Sequence, residues 1–467
     1  MNNTAPDEQR LLDIVAPPLD EATNHEYLEQ TLRDYAASQG RFLVHTQDSN
    51  FLSCLRTTLA SIGVDTNVLT MIRQQGDILA QIKIKGMSGN PLLLIVDYDF
   101  IRKNLGTLVA KIKKAFRSLK IIILTNKAHV FELAFLHEAG ADNFILTPVS
   151  SSSLVARIAL TLRPHGAIGK LLNESRRLIA HGEAQDALDL TAKILHRTPD
   201  SSAAYMLLGD AHLARGKRDE ALAAFEMASE HAKLCLEPLK KLAQFHASDG
   251  NHDKHLEYLE RLNELSPLNM ERKVHLGRLY LKTGRQDDAK EVFNKAVEYV
   301  TNEAPHRIAE LTIQIADACQ AQAPDMAEAF YRQAMGIRSF DLRADIDIFN
   351  RLGSSLRKQG KWAEAVTEYE RALELSPANE NLHYNKALAH SEGRQDEEAF
   401  LCLSNIMKLN QNFHTTSAML AFNCALISKN AGRKDCAVAF AQSALDQDPA
   451  NTKAADLLAQ FQPHTAP

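Results

Sequence analysis

The chain has 467 residues, more than a single hydrophobic core normally holds, so we expect two or three domains. Its formal net charge of −5 gives no general electrostatic reason to bind nucleic acid. No apolar stretch is long enough to insert in a membrane, and the polar, acidic first twenty residues do not resemble a secretory signal. The six scattered cysteines lack metal-site spacing, so we expect reduced thiols in a cytoplasmic protein.

The N-terminal part of the chain contains one short helical pattern, over residues 26–37, whose apolar residues recur at helical spacing. We expect residues 1–38 to form a helical or flexible extension. Residues 39–163 then alternate short apolar runs with amphipathic stretches, and the runs at 92–96 and 121–124 suit inner strands of a parallel sheet. This alternation predicts a doubly wound α/β domain.

Polar side chains at the ends of the predicted strands form the candidate site of this domain. In a doubly wound fold the crevice lies at the carboxyl ends of the strands, so Asp97, Thr125 and Thr147 should converge there. The segment resembles a response-regulator receiver domain, which has a flavodoxin-like fold. The resemblance implies that Asp97 is the phospho-acceptor candidate and that Thr125, Phe144 and Thr147 are the receiver switch residues. Asp99 is expected to be a solvated loop residue.

The chain departs from the receiver pattern where the family binds Mg²⁺. Thr46 and Gln47 align with the two metal-binding acids, Asp48 comes one place later, and Thr147 replaces the family's Lys. Phosphoryl transfer to a carboxylate needs a metal to neutralise charge, and Asp48 with Asp97 would form only a weak Mg²⁺ site. We therefore expect a receiver-like domain that is not phosphorylated in the ordinary way. No cofactor is expected, except Mg²⁺ if Asp97 is phosphorylated.

After a predicted linker at 164–167, small and aromatic residues return with a period of thirty-four positions. The clearest copy contains Gly353, Gly360 and Tyr369. Small residues let two antiparallel helices approach closely, and the aromatic residue fills the hollow between neighbouring pairs. The pattern resembles the tetratricopeptide repeat, a helix-turn-helix unit that stacks into an all-α solenoid.

We predict that residues 168–467 form about eight such repeats followed by a capping helix over residues 453–461. The repeats are expected to start near Ile168, Ser202, Leu236, Met270, Ile308, Ile346, Glu380 and Ala418.

The resemblance implies that the first helix of each repeat lines a groove that binds partner proteins. The partner-binding residues expected on this face are Lys240, Gln244, Arg278, Lys282, Asn350, Ser354 and Arg357. Their side chains are mainly hydrogen-bond donors, which suits an acidic or extended peptide.

The sequence thus predicts a bacterial-type signalling adaptor that has no enzymatic activity and binds partner proteins through the repeat groove. The receiver-like domain would be its input or contact surface. In one alternative the chain is a genuine phosphorelay response regulator, in which a histidine kinase phosphorylates Asp97 and the repeats are the output. In another it is an assembly scaffold for a surface machine, which forms a homodimer through the receiver-like domain.

Overall fold

The computed structural model describes residues 25–86, 89–101, 105–126, 130–162, 166–232, 235–300, 305–337 and 346–461. Its contacts divide the chain into two compact units, residues 1–276 and 277–467. Residues 1–24 of the predicted N-terminal extension and residues 164–165 of the predicted linker lie outside the described residues. Residues 166–167 belong to a helix instead of a linker.

One parallel sheet forms the centre of the N-terminal α/β part. Its strands are β1 (Arg41–His45), β2 (Leu69–Met71), β3 (Leu92–Asp97), β4 (Lys120–Thr125) and β5 (Asn143–Leu146). They lie side by side in the order β2-β1-β3-β4-β5. In the register, Val44 lies opposite Ile95 and Ile95 lies opposite Ile122. This order is compatible with a flavodoxin-like domain and brings the ends of β3 and β4 together.

Helices cover both faces of the sheet. They are α1 (His25–Ala37), α2 (Ser49–Ser61), α3 (Ile78–Gly86), α4 (Tyr98–Ile101), α5 (Leu105–Ala115), α6 (Val130–Ala139) and α7 (Ser151–Leu162). Successive strand residues point to opposite faces. Val44 therefore joins a core with α1, α2 and α7, whereas the preceding Leu43 joins a second core with α3, α5 and α6.

Helix α1 belongs to the core of the α/β part, although the sequence pattern set it apart as an extension. Leu28 and Leu32 are buried. The Tyr35 hydroxyl donates to the carbonyl oxygens of Arg41 and Pro91 at 2.9 and 3.0 Å. The edge of this core therefore lies at or before residue 28, and not at residue 38.

Most of the described residues after α7 belong to paired antiparallel helices. In the first unit these are α8 (Gly166–Ala180), α9 (Ala184–Arg197), α10 (Ser202–Ala214), α11 (Arg218–His231), α12 (Leu236–Ser248) and α13 (His252–Leu265). The boundary between the units falls within α14 (Met270–Lys282).

The described part of the second unit also contains paired helices. Its helices are α15 (Gln286–Val300), α16 (Pro305–Cys319), α17 (Pro324–Ile337), α18 (Ile346–Lys358), α19 (Trp362–Leu375), α20 (Glu380–Glu392), α21 (Asp396–Leu409), α22 (Ala418–Asn430), α23 (Lys434–Gln447) and α24 (Thr452–Ala459). The fold of this region is that of a tetratricopeptide-repeat solenoid.

A glycine and an aromatic ring account for the close approach of the two helices in a repeat. A Cβ atom on Gly353 would lie only 2.6 Å from ring carbons of Tyr369, whose side chain is fully buried. The turn after α18 uses Gly360, whose φ of 75° is a backbone conformation that favours glycine. The spacing of Gly353 and Tyr369 is therefore a packing requirement, and Gly360 meets a requirement of the turn.

Gly353→Ala is expected to lower the free energy of unfolding by about 1–3 kcal/mol, because the buried Tyr369 ring must move to admit the methyl group. Urea denaturation provides the measurement. Gly336→Ala is the matched control, because a Cβ on this exposed helical glycine meets nothing within 4 Å. The control should be neutral or stabilising by up to about 1 kcal/mol, and an equal loss in both variants would contradict the packing account.

Candidate functional site

Asp97 lies where β3 ends, and hydrogen bonds hold both oxygens of its carboxylate. The Thr46 hydroxyl donates to Oδ2 at 2.5 Å. The backbone N–H groups of Asp99 and Phe100 donate to Oδ1 at 3.0 and 3.3 Å. The side chain is nearly buried, with 7% of the residue exposed. Asp97 thus caps the short helix α4, and its position matches the prediction from the strand pattern.

Asp48, the second candidate for a Mg²⁺ ligand, caps helix α2. Its Oδ1 accepts hydrogen bonds from the N–H groups of Asn50 and Phe51 at 2.9 and 3.0 Å. Mg²⁺ prefers carboxylates and water as ligands, whereas the nearest hydrogen-bond partner of Asp97 from the β1 side is the hydroxyl of Thr46. Over the residues that the structure describes, no group of three or more His, Cys, Asp or Glu side chains could hold a metal ion.

Thr125 ends β4 and Thr147 follows the end of β5, and the side chain of Asp99 contacts Thr125. Asp99 Oδ2 accepts from the Thr125 hydroxyl at 3.3 Å and from the Asn126 N–H at 2.8 Å. The expectation that Asp99 is merely solvated was therefore wrong. The Thr147 N–H donates to the Thr125 carbonyl oxygen at 2.9 Å. Phe144 is buried in the core beside α5 and α6.

The predicted groove residues of the first unit lie on α12. Gln244 is exposed. The Lys240 ammonium lies 3.3 Å from Glu138 Oε1 and 3.4 Å from Glu237 Oε1. Lys240 is therefore already paired, and one of its partners is a side chain of the α/β part.

The predicted groove residues of the second unit also include both exposed side chains and side chains that already have partners. Arg278 and Lys282 are exposed on α14, and Ser354 is half-buried. The Asn350 side-chain oxygen accepts from the Asn385 amide at 2.8 Å. Arg357 Nε donates to Glu392 at 2.9 Å, which is part of a two-point ion pair. Arg278 and Lys282 are thus the more accessible cations of this predicted set.

A cluster of polar side chains surrounds Glu138 in the last turn of α6, with Arg272 and Lys240 as its cations. Arg272 Nη1 donates to Glu138 Oε1 at 3.1 Å, and Arg272 Nη2 donates to Oε2. The Ser266 hydroxyl and the Asn269 amide donate to Oε2 at 2.7 and 3.2 Å. Together with Lys240, these residues form what we call the Glu138 cradle. The Glu138 and Arg272 side chains are only 5% and 6% exposed.

The electrostatics of the cradle favour charged partners. Burial alone would raise the pKa of Glu138, but the charge and hydrogen bonds of Arg272, with Lys240 and Ser266, lower it below its ordinary value. Next to it, His137 Nε2 lies 3.5 Å from Glu237 Oε1. Burial alone would lower the pKa of His137, but the hydrogen bond and charge of Glu237 raise it. The α6 end and α12 therefore meet through the Glu138–Lys240 ion pair and the His137–Glu237 contact.

Comparison with known families identifies the repeats. Models described as tetratricopeptide repeats match residues 178–244, 272–299 and 353–392. These segments lie within the paired helices of the structure, so the predicted repeat type is confirmed there.

Two curated proteins are similar over part of their length. The BBSome complex member BBS4 homolog of Drosophila melanogaster is 24% identical over 200 residues, which are 43% of this chain and 40% of that protein. The human protein O-mannosyl-transferase TMTC3 is 26% identical over 198 residues, which are 40% of this chain and 21% of that protein. The chain spans less than half the length of either relative.

Among solved structures, the C-terminal part of a repeat-containing protein from Cytophaga hutchinsonii is 16% identical. The match covers 62% of this chain and 99% of that chain, with a TM-score of 0.34.

Across the described segments, no helix of this chain combines the length and apolar character that crossing a membrane requires.

Proposed function

We propose that the chain is a cytoplasmic signalling adaptor that binds partner proteins through its tetratricopeptide repeats and has no enzymatic activity. The observation that carries the proposal is the run of paired helices that the repeat models match. Each unit has an exposed polar side chain on a first helix, Gln244 in the first unit and Arg278 in the second, and each supports peptide binding by the repeats of its own unit. The similar BBSome complex member is by its name part of a protein assembly, which fits an adaptor.

The α/β part would act as a receiver-like contact or input domain. Its strand order and the place of Asp97 support the likeness to a receiver. The hydrogen bonds of Thr46 and two backbone N–H groups to Asp97 support a structural role for this carboxylate. The threonine at position 147 supplies no cation to pair with an aspartyl phosphate.

A photo-crosslinking amino acid at Gln244 of the full chain tests the adaptor function in the source cells. We expect a covalent adduct with another protein, because this exposed position lies on the proposed partner face. The matched control is the same amino acid at Glu257, which is exposed on α13, the second helix of the same repeat. Adducts that form only at Glu257, or at neither position, would argue against this face.

A second candidate function is that of a phosphorelay regulator, and the convergence of Asp97, Asp99 and Thr125 at one sheet edge favours it. A histidine kinase would then phosphorylate Asp97, with Mg²⁺ present. We expect instead that acetyl phosphate with Mg²⁺ leaves the protein unphosphorylated, because Thr46 and Gln47 replace metal-binding acids. Stoichiometric acid-labile phosphate that disappears in Asp97→Asn would establish the phosphorelay function.

A further inference from the structure

Arg272 is a buried cation of the repeat region whose carboxylate partner belongs to a different part of the chain. Its side chain is 6% exposed, and both of its terminal nitrogens donate to Glu138, which lies 134 positions earlier. A buried charge is costly unless it is paired and hydrogen-bonded. The repeats thus contain a site that requires an acidic group.

The donors of the Glu138 cradle converge from three elements of the repeats. Lys240 comes from α12, Ser266 and Asn269 come from the connection after α13, and Arg272 comes from α14. Asn269 Oδ1 accepts from the Arg272 N–H at 2.9 Å, which directs the amide group of Asn269 toward Glu138. The cradle therefore presents ordered donors to both oxygens of one carboxylate.

Glu138 occupies an unfavourable position within its own helix. It lies in the last turn of α6, where the negative end of the helix dipole disfavours a carboxylate. Helix stability therefore does not explain a glutamate at this place, whereas the pairing with Arg272 does.

The end of α6 also covers part of the proposed partner face. Lys240 occupies a predicted groove position and contacts Glu138, and Glu237, three residues earlier on the same first helix, contacts His137. An acidic partner segment that approached this face would meet the α/β part.

We propose that the Glu138 cradle is a binding site for an acidic side chain of a partner protein, and that Glu138 occupies it in cis. The α/β part and the partner then compete for Arg272 and Lys240. The proposal rests on the proposed function, because it assumes that the repeats bind proteins. The apparent affinity of the site for a partner is proportional to the fraction of molecules in which Glu138 has left the cradle.

A fluorescent, end-capped oligoglutamate peptide is the probe, and its anisotropy on titration with the full-length chain is the measurement. Glu138→Gln is expected to bind the peptide about tenfold more tightly than the wild type, because the competing charge is gone. Glu132→Gln, in the first turn of the same helix, should bind as the wild type does. Adding Arg272→Gln to Glu138→Gln should remove the gain.

The outcomes separate this proposal from the proposed function. Equal binding to the wild type and to Glu138→Gln would overturn the competition and leave the partner-binding function standing. No binding to any variant would overturn this proposal, and crosslinking at Gln244 tests the partner-binding function separately.

Amide hydrogen exchange of the wild type gives a test that does not depend on a folded variant. Saturating peptide should slow exchange in α14 and accelerate it in α6, because the peptide displaces Glu138. Slower exchange in α14 with unchanged exchange in α6 would overturn the proposal.

Discussion

Tyr369→Ala is expected to lower the free energy of unfolding of the second unit by about 3–5 kcal/mol, which is the range for removing a buried aromatic ring. The Tyr369 side chain is fully buried, and its ring lies against Gly353 of the preceding helix. Removing the ring would leave a cavity between α18 and α19, which pair in this repeat. Because each repeat contacts only its neighbours, the loss should loosen the adjoining helix pairs first.

Trp362 offers a local readout for this variant, because it is the only tryptophan of the chain and lies on the same helix, α19. Urea denaturation followed by its fluorescence is therefore the measurement. Tyr299→Ala is the matched control, because Tyr299 is 49% exposed. The control should change the free energy by no more than about 0.5 kcal/mol. Equal effects of the two substitutions would show that the repeat register is wrong at Tyr369.

Glu138→Ala is expected to lower the free energy of unfolding of the first unit by about 3–5 kcal/mol. If α6 keeps its position, the substitution leaves the Arg272 charge buried and unpaired. The double variant Glu138→Ala, Arg272→Ala should lose less than the sum of the two single losses, because the charge that remains unpaired in Glu138→Ala is then removed. Amide hydrogen exchange in α12–α14 measures the effect. Glu132→Ala is the control on α6 and should leave exchange in these helices unchanged. If the double variant lost as much stability as the two single variants together, Glu138 and Arg272 would not be a coupled pair.

The repeat architecture could be predicted closely because its signals are local. Helices begin at Ser202, Leu236 and Met270, and later at Ile346, Glu380 and Ala418, as the thirty-four-residue pattern and its longer intervals predicted. The glycine and aromatic positions are fixed by contacts within a single helix pair. Two other helices begin slightly earlier than predicted, at Gly166 and not Ile168, and at Pro305 and not Ile308.

The candidate sites were predicted less completely, because their contacts join distant parts of the chain. Helical spacing places Lys240 and Arg357 on first helices, but it does not show that Glu138 and Glu392 already pair with them. Glu138 itself lacked any signal, since a single glutamate on a short helix is an ordinary surface residue.

At the strand ends, too, the sequence predicted where residues lie but not which residues they contact. The position of Asp97 followed from the apolar run before it. The engagement of Asp99 by Thr125 depends on how the chain turns after β3, which a residue pattern does not reveal. Helix α1 was placed outside the α/β core because its contacts, such as Tyr35 with Pro91, bridge more than fifty residues.

The central claim is that the repeats bind acidic segments of other proteins. Its most direct test is to titrate the oligoglutamate peptide with the full chain and with the double variant Arg278→Glu, Lys282→Glu. Both cations are exposed on one helix. Each exposed pair contributes roughly 0–1 kcal/mol, so the double reversal should weaken binding about tenfold, and added salt should weaken wild-type binding in parallel. The matched control is the double variant Lys290→Glu, Lys295→Glu, which makes the same charge change at exposed positions of α15, the second helix of a repeat. This control should bind the peptide as the wild type does. Affinity that is equal in all three proteins and insensitive to salt would contradict the claim.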